Sequence, residues 1–232
     1  MNSLTEPEAL AQLQRAKACY QTHIKLNYEH AAADCRTCPV RGSCCTDAHF
    51  VNVHITRLEA VAIRETLART PRLTVEARRA VYSRAREAVA RYHLRASGET
   101  FAQTFACPLY APEVGCLVHA RAKPAPCIQH ACYDAWQDLP PTSLQARSEH
   151  RVEQLNTAVY GAAWAWLSIP VWLTLVDPST DGLELERLSR LWATQRIKTR
   201  NNPAHAARQP AYTNRRSRRY LPVLRQGGRP QG

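Results

Sequence analysis

Apolar residues recur at helical spacing in five stretches of the chain, separated by segments that do not repeat. Thr5 and Glu8 form a Thr-x-x-Glu capping box ahead of Leu10, Leu13, Cys19 and Tyr20, which predicts a first helix to about Leu26. Cys19, alone among these positions in type, reads as a small core residue. Thr56 and Glu59 repeat the box before Leu58, Val61, Ala62 and Leu67, so a second helix is predicted to about Arg69, with Pro71 beyond it. Ala77, Val81, Ala85, Ala88 and Tyr92 predict a third from Val75 to about Arg95, with Arg78, Arg79, Arg84 and Arg86 on its other side and Gly98 ending it. A fourth is predicted from Ser143 through Trp166, until Pro170 interrupts the pattern, and a fifth from Leu183 to about Ile197. Asp34 to Asp47 lacks the apolar residues for a core of its own and reads as a loop, and Phe101 to Lys123 reads as a loop or small hairpin.

One stretch needs a choice of solvent. Ala158 to Val176 is 19 residues without a charge, the length of a membrane span. Pro170 lies inside it, and Tyr160, Trp164, Trp166 and Trp172 are amphipathic aromatics that favour interfaces over a bilayer centre. A buried core helix or a partner surface is the better reading. The pattern therefore predicts a mainly α protein. Residues 1–200 form a helical domain around an irregular, cysteine-rich metal-binding centre (35–134), and 201–232 form a disordered basic tail.

Charge sharpens the picture of that tail. The chain carries a formal +12, and the segment from Asn201 onward holds seven arginines and no acid, so the folded body is only mildly basic. Arg215, Arg216, Arg218 and Arg219 suit phosphate neutralisation, and Tyr212 and Tyr220 suit base stacking, so nucleic acid is a candidate partner. A hydrophobic share of 45% with 8 glycines excludes a fibrous or wholly disordered chain.

Nine cysteines carry the candidate chemistry. The N-terminal segment has Glu6 and Glu8 and no basic start followed by an apolar run, so no signal peptide is read there and a cytoplasmic, reducing location is expected. In such a compartment thiolate ligation is favoured over disulfides. Cys35-x-x-Cys38 is a chelating pair, because two intervening residues let a turn bring both sulfurs to one metal, and Cys44-Cys45 follows. Farther on, Cys107, Cys116 and Cys127 each sit beside a turn-forming Pro or Gly, a position that leaves backbone amides free to point at sulfur. These seven are the predicted metal ligands. The side chains of adjacent Cys44 and Cys45 diverge in extended backbone, so they serve two metals, two irons of one cluster, or ligand and outer shell. If Cys127 opens a helix, Cys132 falls on a different face while His130 shares that of Cys127, so Cys132 ranks below the seven and His130 is a reserve ligand. His49, His54 and His119 read first as ordinary polar or partly buried histidines, and Tyr110, Tyr133 and Trp136 as packing residues that could line a pocket. A zinc ion and a four-iron cluster each take four thiolates, so an iron–sulfur cluster and zinc both stay open. No phosphate-binding loop, dinucleotide fingerprint, nucleophile elbow or His-Glu-x-x-His helix is present, and whether the chain is an enzyme is left open. The alternative function is a zinc-stabilised nucleic-acid-binding or interaction module that works through its basic tail.

The order Cys35-x-x-Cys38-x5-Cys44-Cys45, then Cys107-Pro108-Leu109, then Gly115-Cys116-x-Val118, then Pro124-x-x-Cys127 resembles the YkgJ-type cysteine-cluster family, described as a zinc- or iron-chelating domain. The likeness covers roughly Cys35 to Asp134 and implies a metal site through the seven cysteines. A similar cluster in flagellin lysine methylases implies iron–sulfur chemistry. Two positions depart from the pattern: Lys123 stands where an arginine precedes the proline, and Ile128 where an arginine follows the last cysteine. Lysine keeps the charge but loses the planar fork, and Ile128 removes a charge altogether.

Overall fold

The computed structural model describes residues 4–33, 42–46, 53–96, 104–133, 135–161 and 164–200. The first helix, α1 (Glu6–Asn27), starts as its capping box predicts, with the Glu8 carboxylate accepting from the Thr5 N–H at 3.0 Å and its hydroxyl at 2.7 Å. A short strand, β1 (Ala32–Ala33), leads toward the first cysteine pair, and α2 (Ser43–Thr46) is a single turn carrying Cys44 and Cys45. After β2 (His54–Ile55), α3 (Arg57–Arg69) is capped by Thr56 and Glu59, whose backbone N–H groups each bond the other's side chain at 3.1 and 3.4 Å.

The third predicted helix forms as α4 (Val75–Arg91), four residues short of its expected end. His93 takes a left-handed φ of 51° and turns the chain there, so a non-glycine residue ends this helix and Gly98 lies outside the described residues. The predicted hairpin is present as β3 (Tyr110–Ala111) paired with β4 (Gly115–Cys116). The next elements are α5 (Ala125–Gln129) and β5 (Cys132–Tyr133), which pairs antiparallel with β1 and sets Cys132 opposite Ala33.

The helix expected through Trp166 is shorter. It runs as α6 (Thr142–Tyr160) and ends at Gly161, whose φ of 59° suits glycine and whose N–H bonds Thr157 O at 2.9 Å. A strand, β6 (Leu167–Ser168), then pairs with β2. Pro170 does not interrupt a helix but lies in the first turn of α7 (Ile169–Leu175), where its missing N–H costs nothing. The uncharged stretch is thus divided between a helix end, a strand and a short helix. Among the described residues no helix is long and apolar enough to cross a membrane. The last helix, α8, spans Leu183–Arg200, and the basic tail from 201 lies outside the described residues.

The eight helices and three two-stranded ladders among the described residues make the fold mainly α. The largest apolar cluster joins α3, α4, α7 and α8, with Trp172 fully buried and its ring 5.8 Å from that of Trp192. A second cluster joins α1, α3 and α6 through Leu13, Leu58, Val152 and Leu155. There the buried Asn156 accepts the Leu58 N–H at 2.9 Å, satisfying an amide that the first turn of α3 leaves without a helical partner. A third packs Tyr20 and Ile24 of α1 against Ala125 and Ile128 of α5. Cys19 faces outward and is exposed, so the core reading of that residue is corrected: the buried stripe of α1 runs through Ala9, Leu13, Lys17, Tyr20 and Ile24.

Burial raises the phenols of Tyr82 and Tyr133 to about 12 and pushes those of Tyr20 and Tyr160 upward as well. A phenol held above its unfolded value of 10.0 contributes stability that is fully present below pH 10.0 and is lost as pH climbs through the folded value. An alkaline melting series should therefore be flat up to about pH 10 and fall steeply from there to about pH 12. The Tyr82→Phe protein should show a shallower fall.

Candidate metal centre

Two of the expected ligands are presented by the same local device. Cys107 opens a turn closed by Tyr110 N to Cys107 O at 3.1 Å, and Cys116 opens one closed by His119 N to Cys116 O at 3.2 Å. In each turn the amide two residues on, that of Leu109 or Val118, donates to the cysteine sulfur. Such N–H···S bonds lower the cost of negative charge on sulfur, and Pro108 helps set the first turn while Gly115, at φ 88°, admits the chain to the second. At Cys107 and Cys116 the amides expected beside the turn residues do point at sulfur, whereas Cys127 in α5 is governed by burial and neighbouring charges.

The surroundings hold these turns in place. Arg84 of α4 donates to Pro108 O from Nε at 3.1 Å and from Nη2 at 2.8 Å, so an arginine assigned by its spacing to the polar side of the helix instead fixes the Cys107 turn. Cys107 N bonds Cys45 O at 2.8 Å, which ties α2 directly to that turn. Gly42, one residue before α2, has φ 84° and lies so close to Tyr110 that a Cβ there would fall 1.9 Å from the phenol oxygen. Only glycine fits. Tyr110 thus packs against the backbone of the first cysteine segment.

Each of the five described expected ligands lies within electrostatic reach of at least one other. Burial and the charges of Cys127 and Cys116 push the Cys107 thiol up. Burial raises Cys116, which also feels Cys44, and burial raises Cys127 to about 12, with Cys116 again acting on it. Cys45 is pushed up by its hydrogen bond to Cys44, by burial, and by the charges of Cys107, Cys44 and Cys127. Cys44 is pulled down by its hydrogen bonds to Cys45 and His130. Thiolates at these half-buried positions would repel one another, and a cation would relieve that repulsion. Cys35 and Cys38 lie outside the described residues, as does His49. The chain reaches them from Ala33, which is paired opposite Cys132, and leaves them at Gly42 against Tyr110.

His130 stands beside Cys44, as a reserve ligand would. The helical geometry used to rank Cys132 does not hold, because α5 ends at Gln129 and Cys132 lies in β5. His119 is exposed, with its imidazole pulled down by partial desolvation and by Lys123. His54 is buried in β2. Lys123 is also near Cys116 and Cys127, so it does supply positive charge beside these sulfurs. Ile128 is buried in the α1–α5 cluster, where an arginine would have no water.

Sequence spacing gave no sign of one neighbour. Lys17 of α1 and Glu59 of α3 form a buried ion pair at 2.8 Å, with side chains 5% and 2% exposed, and both act electrostatically on Cys127. Among the described residues no three or more His, Cys, Asp or Glu side chains form a group that could hold a metal ion. The five described thiols are therefore neighbours without closing a coordination shell among themselves. Comparison with protein-family models, with curated proteins and with solved structures gives no match. The likeness to the YkgJ-type family rests on the cysteine spacing alone.

Proposed function

We propose that the protein binds a metal centre, an iron–sulfur cluster or zinc, through Cys44, Cys45, Cys107, Cys116 and Cys127 together with Cys35 and Cys38. The observation that carries this reading is the pair of matched turns at Cys107 and Cys116, each aiming a backbone amide at its own sulfur. A buried thiol kept only for packing needs no such bond, whereas a thiolate ligand is stabilised by it. The donor set fits the group: soft thiolates suit zinc and iron–sulfur clusters, and His130 adds an imidazole beside Cys44. Cys35 and Cys38, tethered at both ends of their segment to this neighbourhood, are the ligands that would complete the shell. The centre fastens segments far apart in sequence, so its binding free energy contributes to folding.

Metal and acid-labile sulfide analysis of full-length protein purified without oxygen tests the reading. Brown protein with visible absorbance, iron and sulfide would assign a cluster, and colourless protein with stoichiometric zinc would assign zinc. Protein that holds neither, and takes up neither on reconstitution, would overturn the proposal. The nucleic-acid reading of the tail through Arg215, Arg216, Arg218 and Arg219 falls outside the described residues, and no described feature favours it.

A further inference from the structure

A cavity of about 250 Å³ opens between α1, α3 and the chain at Arg121 and Ala122. Leu10, Leu13 and Ala122 supply apolar wall, and Lys17 lies at the lining where α1 passes toward Cys127. The charges around it do not balance. Lys17 is neutralised by Glu59 at 2.8 Å, and Arg69 meets Glu65 at 3.1 Å. Arg121 lines the same cavity, and among the described residues it pairs with no carboxylate. One unmatched guanidinium beside an apolar wall suits an amphipathic anion: the planar fork takes an oxyanion in two parallel hydrogen bonds while the wall takes a hydrocarbon body. The volume equals that of about eight waters, which limits the occupant to roughly eight non-hydrogen atoms.

We infer that this cavity binds a small organic oxyanion, a carboxylate or phosphate ester of about eight non-hydrogen atoms, held by Arg121. The inference does not depend on the proposed metal centre, since none of the described cysteines lines the cavity.

Ligand-observed NMR titration of the full-length protein with hexanoate, propyl phosphate and the neutral hexanamide tests it. At least one of the two anions should bind saturably and at least about tenfold more tightly than hexanamide. That preference should vanish in the exposed-site variant Arg121→Gln, and Ala11→Trp, which fills the mouth, should weaken all three ligands. Circular dichroism would verify that both variants fold. Tighter binding of propyl phosphate than of hexanoate would assign a phosphate ester, and the reverse order a carboxylate. Equal binding of the amide and both anions, an anion preference that survives Arg121→Gln, unchanged binding to Ala11→Trp, or no binding at all would each overturn the inference.

Discussion

The Cys107→Ser protein should lose its metal and melt more than about 10 °C below the wild type, because a structural thiolate site contributes its binding free energy to folding. Cys107 is chosen because its turn is held three ways: by the Leu109 amide at its sulfur, by Arg84 at Pro108 O, and by the bond from its own N–H to Cys45 O. Serine keeps that backbone but replaces a soft ligand with a hard, poorly ionised one. Packing loss alone would also lower the melting temperature, so the comparison includes a chelator. If the metal carries the stability, chelated wild type should melt close to Cys107→Ser, and chelator should add nothing to the variant's loss. Cys19→Ser, altered at an exposed position on α1, should match wild type in both metal content and melting. A Cys107→Ser protein with full metal and a wild-type melting temperature would show that this thiol is no ligand.

The second large effect is expected at a residue far in sequence from the proposed ligands. Lys17→Met should destabilise the protein by about 3–5 kcal/mol, since it strands the Glu59 carboxylate, whose side chain is 2% exposed, without its counter-charge. For a chain of this length that is a fall of roughly 10 °C in denaturation scans. Glu59 has a second duty that decides how the rescue is designed. Its carboxylate accepts the Thr56 N–H at 3.1 Å, so a leucine there would remove the start of α3 along with the charge. Glutamine keeps the cap and drops the charge. Lys17→Met with Glu59→Gln should therefore recover most of the loss, and a double variant no more stable than the single one would mean that Lys17 matters for its packing alone.

Helix positions were legible where local chemistry decides them. The Thr5–Glu8 and Thr56–Glu59 boxes mark the starts of α1 and α3 because they act within a single turn. Helix ends were less legible: His93 and Gly161 stop α4 and α6 through backbone conformations that hydrophobic periodicity does not encode. Pro170 was ambiguous for a related reason, since proline breaks a helix from within but suits its first turn. In the candidate site, the turns at Cys107 and Cys116 were legible from Pro108 and Gly115. The supporting residues were not. Arg84 and Lys17 lie on helices where a long cation ordinarily reads as solvent-facing, and their partners, Pro108 O and Glu59, are 24 and 42 residues away. Only the packing of α4 against the cysteine turn and of α1 against α3 turns those charges inward. Cys19 shows the converse case, a residue of buried type on an outward face.

The antiparallel pairing of Ala33 with Cys132, and the seating of Gly42 on Tyr110, fix the two ends of an eight-residue span that contains Cys35 and Cys38. A trans chain reaches at most about 3.6 Å per residue, which keeps Cys35 within about 7 Å of Ala33. On the proposed function, capture of a metal by this pair would be an intramolecular event at high effective concentration, with much of the loop-closure entropy already met by the fold. An ion first held by Cys107 and Cys116 would meet its remaining donors without a search, and release would require several bonds to open at once.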